Sequence, residues 1–140
     1  MKVTLQDIEQ AEINIGRFIN KTDTALLLSA SQILGTEIYL KYENLQATGS
    51  FKIRGALNKI LQLTDAQKKA GVVASSAGNH AQGVALSAQK AGVKAVIVMP
   101  KTAPLVKIQA TKDYGAEVVL AGEIYDEAFE HAQKLQQEHG

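Results

Sequence analysis

The chain has 140 residues, 46% of them hydrophobic and 21% charged, with a formal net charge of +1 at pH 7. That length and apolar content suit one domain with a buried core. The near-zero charge predicts no strong pull toward nucleic acid or acidic membranes, and the lack of cysteine excludes disulfides, thiolate nucleophiles and zinc knuckles. In chain order, Ile8, Ala11, Ile15, Phe18 and Ile19 fall near helical spacing, with Thr4 or Asp7 as the cap. Residues 25–34 predict a short strand running into a short helix ended by Gly35, and residues 37–42 alternate as a strand does. Ser50 is a good N-cap for a helix whose first turn holds Lys52. Thr64 with Gln67 fits a capping box for a short helix before Gly71.

From residue 72 the pattern becomes regular. Apolar runs at 72–74, 95–99 and 118–120 are each followed by helical character, at about 80–91, 104–114 and 124–138. Gly71, Gly92 and Gly115 are expected to close the preceding helices in the left-handed conformation. Thr102, with Pro104 just inside the helix, signals another start. This near-equal rhythm demands βαβ units and a parallel sheet with right-handed crossovers. The strands are apolar throughout, which predicts a three-layer α/β fold with helices on both faces. In such sheets ligands sit at the carboxyl ends of the strands. The loops at 44–52 and 75–80 occupy that place. No apolar run is long enough to span a bilayer. His80, His131 and His139 are too scattered for an obvious metal site. The start, Met1-Lys2-Val3-Thr4, lacks the apolar stretch of a signal peptide, so a cytoplasmic chain is expected.

Two segments could carry chemistry. In Thr48-Gly49-Ser50-Phe51-Lys52-Ile53-Arg54-Gly55-Ala56, a lysine falls in a first helical turn, where the helix dipole disfavours an ammonium. A neutral amine there is what a Schiff-base nucleophile or a general base needs. A solvated lysine is the other reading, with Phe51 merely packing. Arg54 either binds an anion or pairs with a local carboxylate. In Ser75-Ser76-Ala77-Gly78-Asn79-His80, small residues between strand and helix leave backbone N–H groups accessible at a helix's positive end. That suits a carboxylate or phosphate. The spacing is neither the dinucleotide fingerprint nor a Walker loop. An ordinary strand-to-helix turn, with His80 as a structural residue, fits equally well.

Read together, the two segments resemble a known family. Lys41-Tyr42-Glu43-Asn44-Leu45-Gln46 through Ala56 resembles the lysine motif of fold-type II pyridoxal-phosphate enzymes. Ser76-Ala77-Gly78-Asn79-His80-Ala81-Gln82-Gly83-Val84-Ala85 is similar to their substrate-carboxylate loop. Val98-Met99-Pro100 and Tyr114-Gly115-Ala116-Glu117-Val118 continue the likeness, which covers nearly the whole chain. It is most specific to the threonine dehydratases (threonine ammonia-lyases). Related threonine synthases carry an Asp after the lysine, where this chain has Ile53. Serine racemases place a proton-carrying serine where this chain has Ala77, so racemisation is disfavoured.

The resemblance implies roles. Lys52 would hold pyridoxal 5'-phosphate covalently and move the Cα proton. Phe51 would border the pyridine ring, and Asn79 would hydrogen-bond the ring's 3′-oxygen. Backbone amides of Ser76, Ala77, Gly78, Asn79 and His80 would hold the substrate carboxylate. The implied reaction is β-elimination of L-threonine to 2-oxobutanoate and ammonia, with L-serine as a secondary substrate. A homo-oligomer is implied for the complete enzyme, with no nucleic acid or membrane partner. By the same resemblance, residues 1–45 begin the family's large domain and residues 46–140 make most of its small α/β domain. The family's glycine-rich phosphate loop has no counterpart, for the chain holds no adjacent pair of glycines. The chain also stops at Gly140, before the family's next strand. The expectation is therefore an amino-terminal portion of a longer enzyme. The alternative is a non-catalytic α/β fragment or binding module.

Overall fold

The fold, seen in a computed structural model, is described for residues 2–139; Met1 and Gly140, which bound the two expected domain portions, lie outside that range. Helix α1 (Leu5–Ile15) starts on a full capping box. The Thr4 hydroxyl accepts from the Asp7 amide, and the Asp7 carboxylate accepts from the Thr4 amide. Strand β1 (Thr24–Leu26) runs into α2 (Leu28–Leu34), which Gly35 ends at φ 65°. Strand β2 (Tyr39–Lys41) pairs antiparallel with β1, Ala25 opposite Leu40. Then come α3 (Lys52–Leu61) and α4 (Asp65–Ala70).

The regular part follows as β3 (Val72–Ser75), α5 (Asn79–Ala91), β4 (Ala95–Met99), α6 (Leu105–Asp113), β5 (Glu117–Leu120) and α7 (Tyr125–His139). The three strands form one parallel sheet in the order β3-β4-β5, with Ala74 beside Ile97 and Ile97 beside Val118. The expected α/β class and parallel sheet with flanking helices are both present.

Alternation along β4 sets the layers, because successive side chains point to opposite faces. Ile97 and Met99 are fully buried in a cluster with Ala81, Val84, Ala85 and Ala88 of α5 and Ile108 of α6. Val98, between them, is fully buried on the other face against Ala128 and Ala132 of α7. Outside α5 lies α3. Its Ile53 and Leu57 are fully buried with Ile15 of α1 and Leu86 of α5. Cover is fullest on the central strand, buried at every residue but the half-buried Val96; β3 is half-buried throughout, and Glu117 and Leu120 of the edge strand β5 are exposed. Among the described residues, no helix is long and apolar enough to cross a membrane.

Three local expectations are corrected. Ser50 does not cap α3; the capping position is Phe51, with φ −68° and ψ −8°. A side-chain cap needs extended backbone so that its oxygen can reach the next amides. Phe51 is already helical, so the Ser50 hydroxyl is carried past them. Pro104 is itself the N-cap of α6, at ψ 131°, rather than its first residue, and the Thr102 hydroxyl donates instead to the Glu123 carbonyl at 2.9 Å. Gly71 has positive φ (103°) but ψ −168°, outside the left-handed helical region that Gly92 does occupy. The Thr64–Gln67 box is present as expected. Thr64→Ala should cost about 1 kcal/mol. The check is a lowered urea midpoint with an unchanged slope.

Candidate active site

The segment before α3 is held in several independent ways. Gln46, 4% exposed, has its side-chain oxygen accepting from the Asn20 amide (2.9 Å) and its Nε2 donating to the Asn20 carbonyl (2.9 Å). Gly49 turns the chain at φ 65°, with its amide donating to the Gln46 carbonyl at 2.8 Å. The Tyr114 hydroxyl, from the end of α6, donates to the Ala47 carbonyl at 3.2 Å. The question left open for Arg54 is answered by Glu43. The guanidinium makes a two-pronged pair with its carboxylate, Nε to Oε2 at 2.8 Å and a terminal nitrogen to Oε1 at 2.7 Å. Thr22 adds a hydroxyl donor to the same carboxylate at 2.6 Å.

On that support Lys52 opens α3 with its side chain exposed. Its Nζ lies 4.8 Å from the ring centroid of Phe51, itself 58% exposed. The second loop is brought alongside by the packing of α5 on α3. A Cβ added at Gly83 of α5 would stand 3.0 Å from the Lys52 carbonyl carbon, 3.1 Å from its Cβ and 3.2 Å from the Ile53 nitrogen. Glycine is thus what lets α5 lie directly against the backbone that carries Lys52. Partial burial, and after it the Lys52 charge, push the His80 imidazole below its ordinary value.

The 76–80 loop lies at the carboxyl end of β3. The Ser76 amide donates to the Val98 carbonyl, and the Ser76 hydroxyl accepts from the Gly78 amide at 3.3 Å. Asn79 and His80 are the exposed first residues of α5, where backbone amides lack intrahelical acceptors. A Cβ at Gly78 would meet nothing within 4 Å, so the backbone there is open to close approach. Ala77 is half-buried against the core cluster and offers only a methyl group. The structure thus gathers Phe51, Lys52, Ser76, Ala77, Gly78, Asn79 and His80 around the start of α5.

Two contributions are not readable from the sequence. One is that of Gly83, which belongs to the 76–85 likeness but whose seat against Lys52 no local signal announces. The other is that of Lys107 in the first turn of α6, whose Nζ donates to the Asn79 side-chain oxygen at 3.2 Å. The available signal was a lysine in a first helical turn, the same wrong sign for the dipole that marks Lys52. Two buried hydroxyls, Ser50 and Ser75, have no hydrogen-bond partner. One lies two residues before Lys52, the other directly before the 76–80 loop. Among the described residues no group of His, Asp and Glu could hold a metal ion.

This arrangement can be set beside known proteins. The chain is 54% identical over 138 residues to the L-threonine ammonia-lyase of Thermotoga maritima, covering 99% of this chain and 34% of that protein. It therefore spans about a third of that relative's length. Maize serine racemase superposes with a TM-score of 0.93 at 34% identity, over 100% of this chain and 43% of that one. The processed form of threonine deaminase isoform 2 from Solanum lycopersicum superposes with a TM-score of 0.85 at 37% identity, over 100% of this chain and 40% of that one. The family model described as pyridoxal-phosphate dependent enzyme matches residues 15–140, most of the chain and both loops of the site, and the chain belongs to that family.

Proposed function

We propose that Lys52 is the cofactor-bearing residue of a threonine ammonia-lyase, and that this chain supplies the lysine and carboxylate-binding parts of its site. The observation that carries this reading is the direct seating of Lys52 on α5 at Gly83, beside the free amides that open that helix. The residues present fit one end of pyridoxal phosphate. A primary amine, a side-chain amide and free backbone N–H groups suit an aldehyde, a ring oxygen and a carboxylate, and the segments that carry them also hold two buried hydroxyls without partners, Ser50 and Ser75. When bound, the cofactor supplies the electron sink for a carbanion at the substrate's Cα. In this reading residues 1–45 begin a larger cofactor domain and residues 46–140 form most of a smaller one.

The chain's own residues then divide the work. The Lys52 amine would hold the cofactor and, when free, would be the base that takes the substrate's Cα proton. Phe51 would border the pyridine ring, and Asn79 would donate to the ring oxygen. Of the 76–80 amides assigned to the substrate carboxylate, that of Ser76 already donates to the Val98 carbonyl and that of Gly78 to the Ser76 hydroxyl, so those of Ala77, Asn79 and His80, at the positive end of α5, would bind it. Ala77 carries no proton, so nothing at that position can return one to the Cα, which favours deamination over racemisation. L-Threonine loses water across Cα and Cβ, and the enamine released takes up one water as its C–N bond is hydrolysed, giving 2-oxobutanoate and ammonia with no net change in water. L-Serine lacks only a methyl and is a secondary substrate, because one methyl group discriminates weakly.

The test is chemical trapping. The chain is incubated with pyridoxal phosphate, reduced with borohydride and mapped by peptide mass spectrometry. Label concentrated on Lys52, and lost in Lys52→Ala without spreading to Lys59 or Lys107, supports the reading. Label distributed evenly over the exposed lysines would overturn it in favour of a non-catalytic module. We expect weak retention, because no glycine pair is available to cradle the phosphate, so the label should be specific but easily removed by dialysis before reduction.

A further inference from the structure

We propose that Lys107 is a positioning residue for Asn79: its ammonium engages the side-chain oxygen and leaves the amide nitrogen as the group presented to a bound cofactor. The idea rests on the reading of Lys52 and Asn79 given above. Its observation is the bond from Lys107 Nζ to Asn79 Oδ1 at 3.2 Å, between residues 28 positions apart. Asn79 is the first residue of α5, and Lys107 lies in the first turn of α6, which packs beside it.

The chemistry follows from donor and acceptor counts. An asparagine side chain has one acceptor oxygen and an NH₂ group with two donors, and a half-turn of the amide exchanges them. Left exposed and unpaired, Asn79 could offer either end. An ammonium only donates, so it selects the arrangement with the oxygen toward Lys107. What remains for a ligand is the Nδ2 donor. The ring oxygen assigned to Asn79 is an acceptor when ionised, and a fixed donor matches it. The nearby positive charge of Lys107 also favours that ionised form.

The location of Lys107 supports a role at the site rather than in stability. A lysine in the first turn of a helix opposes the dipole. Lys107 is half-buried, and its ammonium reaches across to another helix rather than to a carboxylate. An uncharged residue would serve α6 better. The contact also falls at the carboxyl end of the sheet, where ligands of parallel sheets bind.

The experiment has two arms on the full chain. In the first, ¹⁵N relaxation of the Asn79 side-chain amide is measured without cofactor in wild type and Lys107→Ala. The order parameter should fall below about 0.6, into the flexible range, when the ammonium is removed, and Lys107→Arg should restore much of it. An unchanged value would overturn the inference whatever the cofactor does. In the second, Lys52 trapping is compared in wild type, Lys107→Ala, Asn79→Ala and the double variant. Each single variant should lower the yield about three- to tenfold, and the double variant should be no worse than Asn79→Ala alone. Additive losses would show that Lys107 acts independently of Asn79 and would overturn the inference. Unlabelled Lys52 in wild type would instead sink the site reading, and the relaxation arm would still decide on Lys107.

Discussion

Replacing Gly83 with valine is expected to destabilise the chain by about 2–3 kcal/mol and to displace Lys52 from its place beside α5. The position where a Cβ would go is already within 3.0 Å of the Lys52 carbonyl carbon and 3.2 Å of the Ile53 nitrogen. Both are backbone atoms in the first turn of a helix, so no rotamer change can clear them. Relief requires α5 and α3 to separate. They cannot do so freely, because Ile53 and Leu57 of α3 are fully buried next to Leu86 of α5. Close-packed interiors transmit such a strain rather than absorb it. Alanine is a weaker probe, because losing a mid-helix glycine gains up to about 1 kcal/mol of helix propensity against the clash. Valine adds two methyl groups and gains little propensity, so its sign is settled. Urea unfolding measures the first effect and borohydride trapping at Lys52 the second. A valine variant with the wild-type midpoint and wild-type label at Lys52 would show that the helices have slack here, and that glycine is not what seats the lysine.

That contact also shows what kind of information a sequence carries in the open. The sheet was legible because its signals are local. Apolar runs, a glycine after each helix and the Thr64–Gln67 box each declare themselves within a few residues. The site was legible only in part, for the opposite reason. Lys52 and the 76–80 loop stood out by residue type, but nothing in either segment states that the two meet. Gly83 reads locally as a weak point in an apolar helix, and its purpose lies on α3. Lys107 reads as one of many surface lysines until α6 is packed beside α5. Ser50 failed in the reverse direction. Its residue type promises a cap, yet the helical backbone at Phe51 leaves its hydroxyl buried and unpaired. Propensity describes what a residue favours when free to choose, and here the turn at Gly49 and the buried Gln46 have chosen first.

Acid should loosen this same support through Glu43. The Arg54 guanidinium, followed by the Thr22 hydroxyl, holds the Glu43 carboxyl down to about 2, against desolvation that pushes the other way. A folded value below the unfolded one means that, between them, the unfolded chain binds more protons than the folded chain. The ion pair therefore contributes its full stability above the ordinary glutamate value of 4.5 and loses it as pH falls toward about 2. A third of the Arg54 side-chain surface faces water. Screening by solvent keeps the contribution to about 1 kcal/mol. Glu43→Gln keeps the shape but has no charge to lose. Its urea midpoint should lie below wild type at pH 7, and the two should converge as pH falls through the window between those two values. Parallel curves over that range would show that the carboxylate is not held by Arg54. The consequence reaches the site, because Arg54 lies within the first turn of the helix that Lys52 begins. Losing the pair frees that turn from the 43–46 segment. Lys52 trapping in Glu43→Gln should fall with the midpoint at pH 7, and Arg54→Lys with Glu43 intact should lower it as well, since an ammonium cannot reproduce the two-pronged bond to the carboxylate.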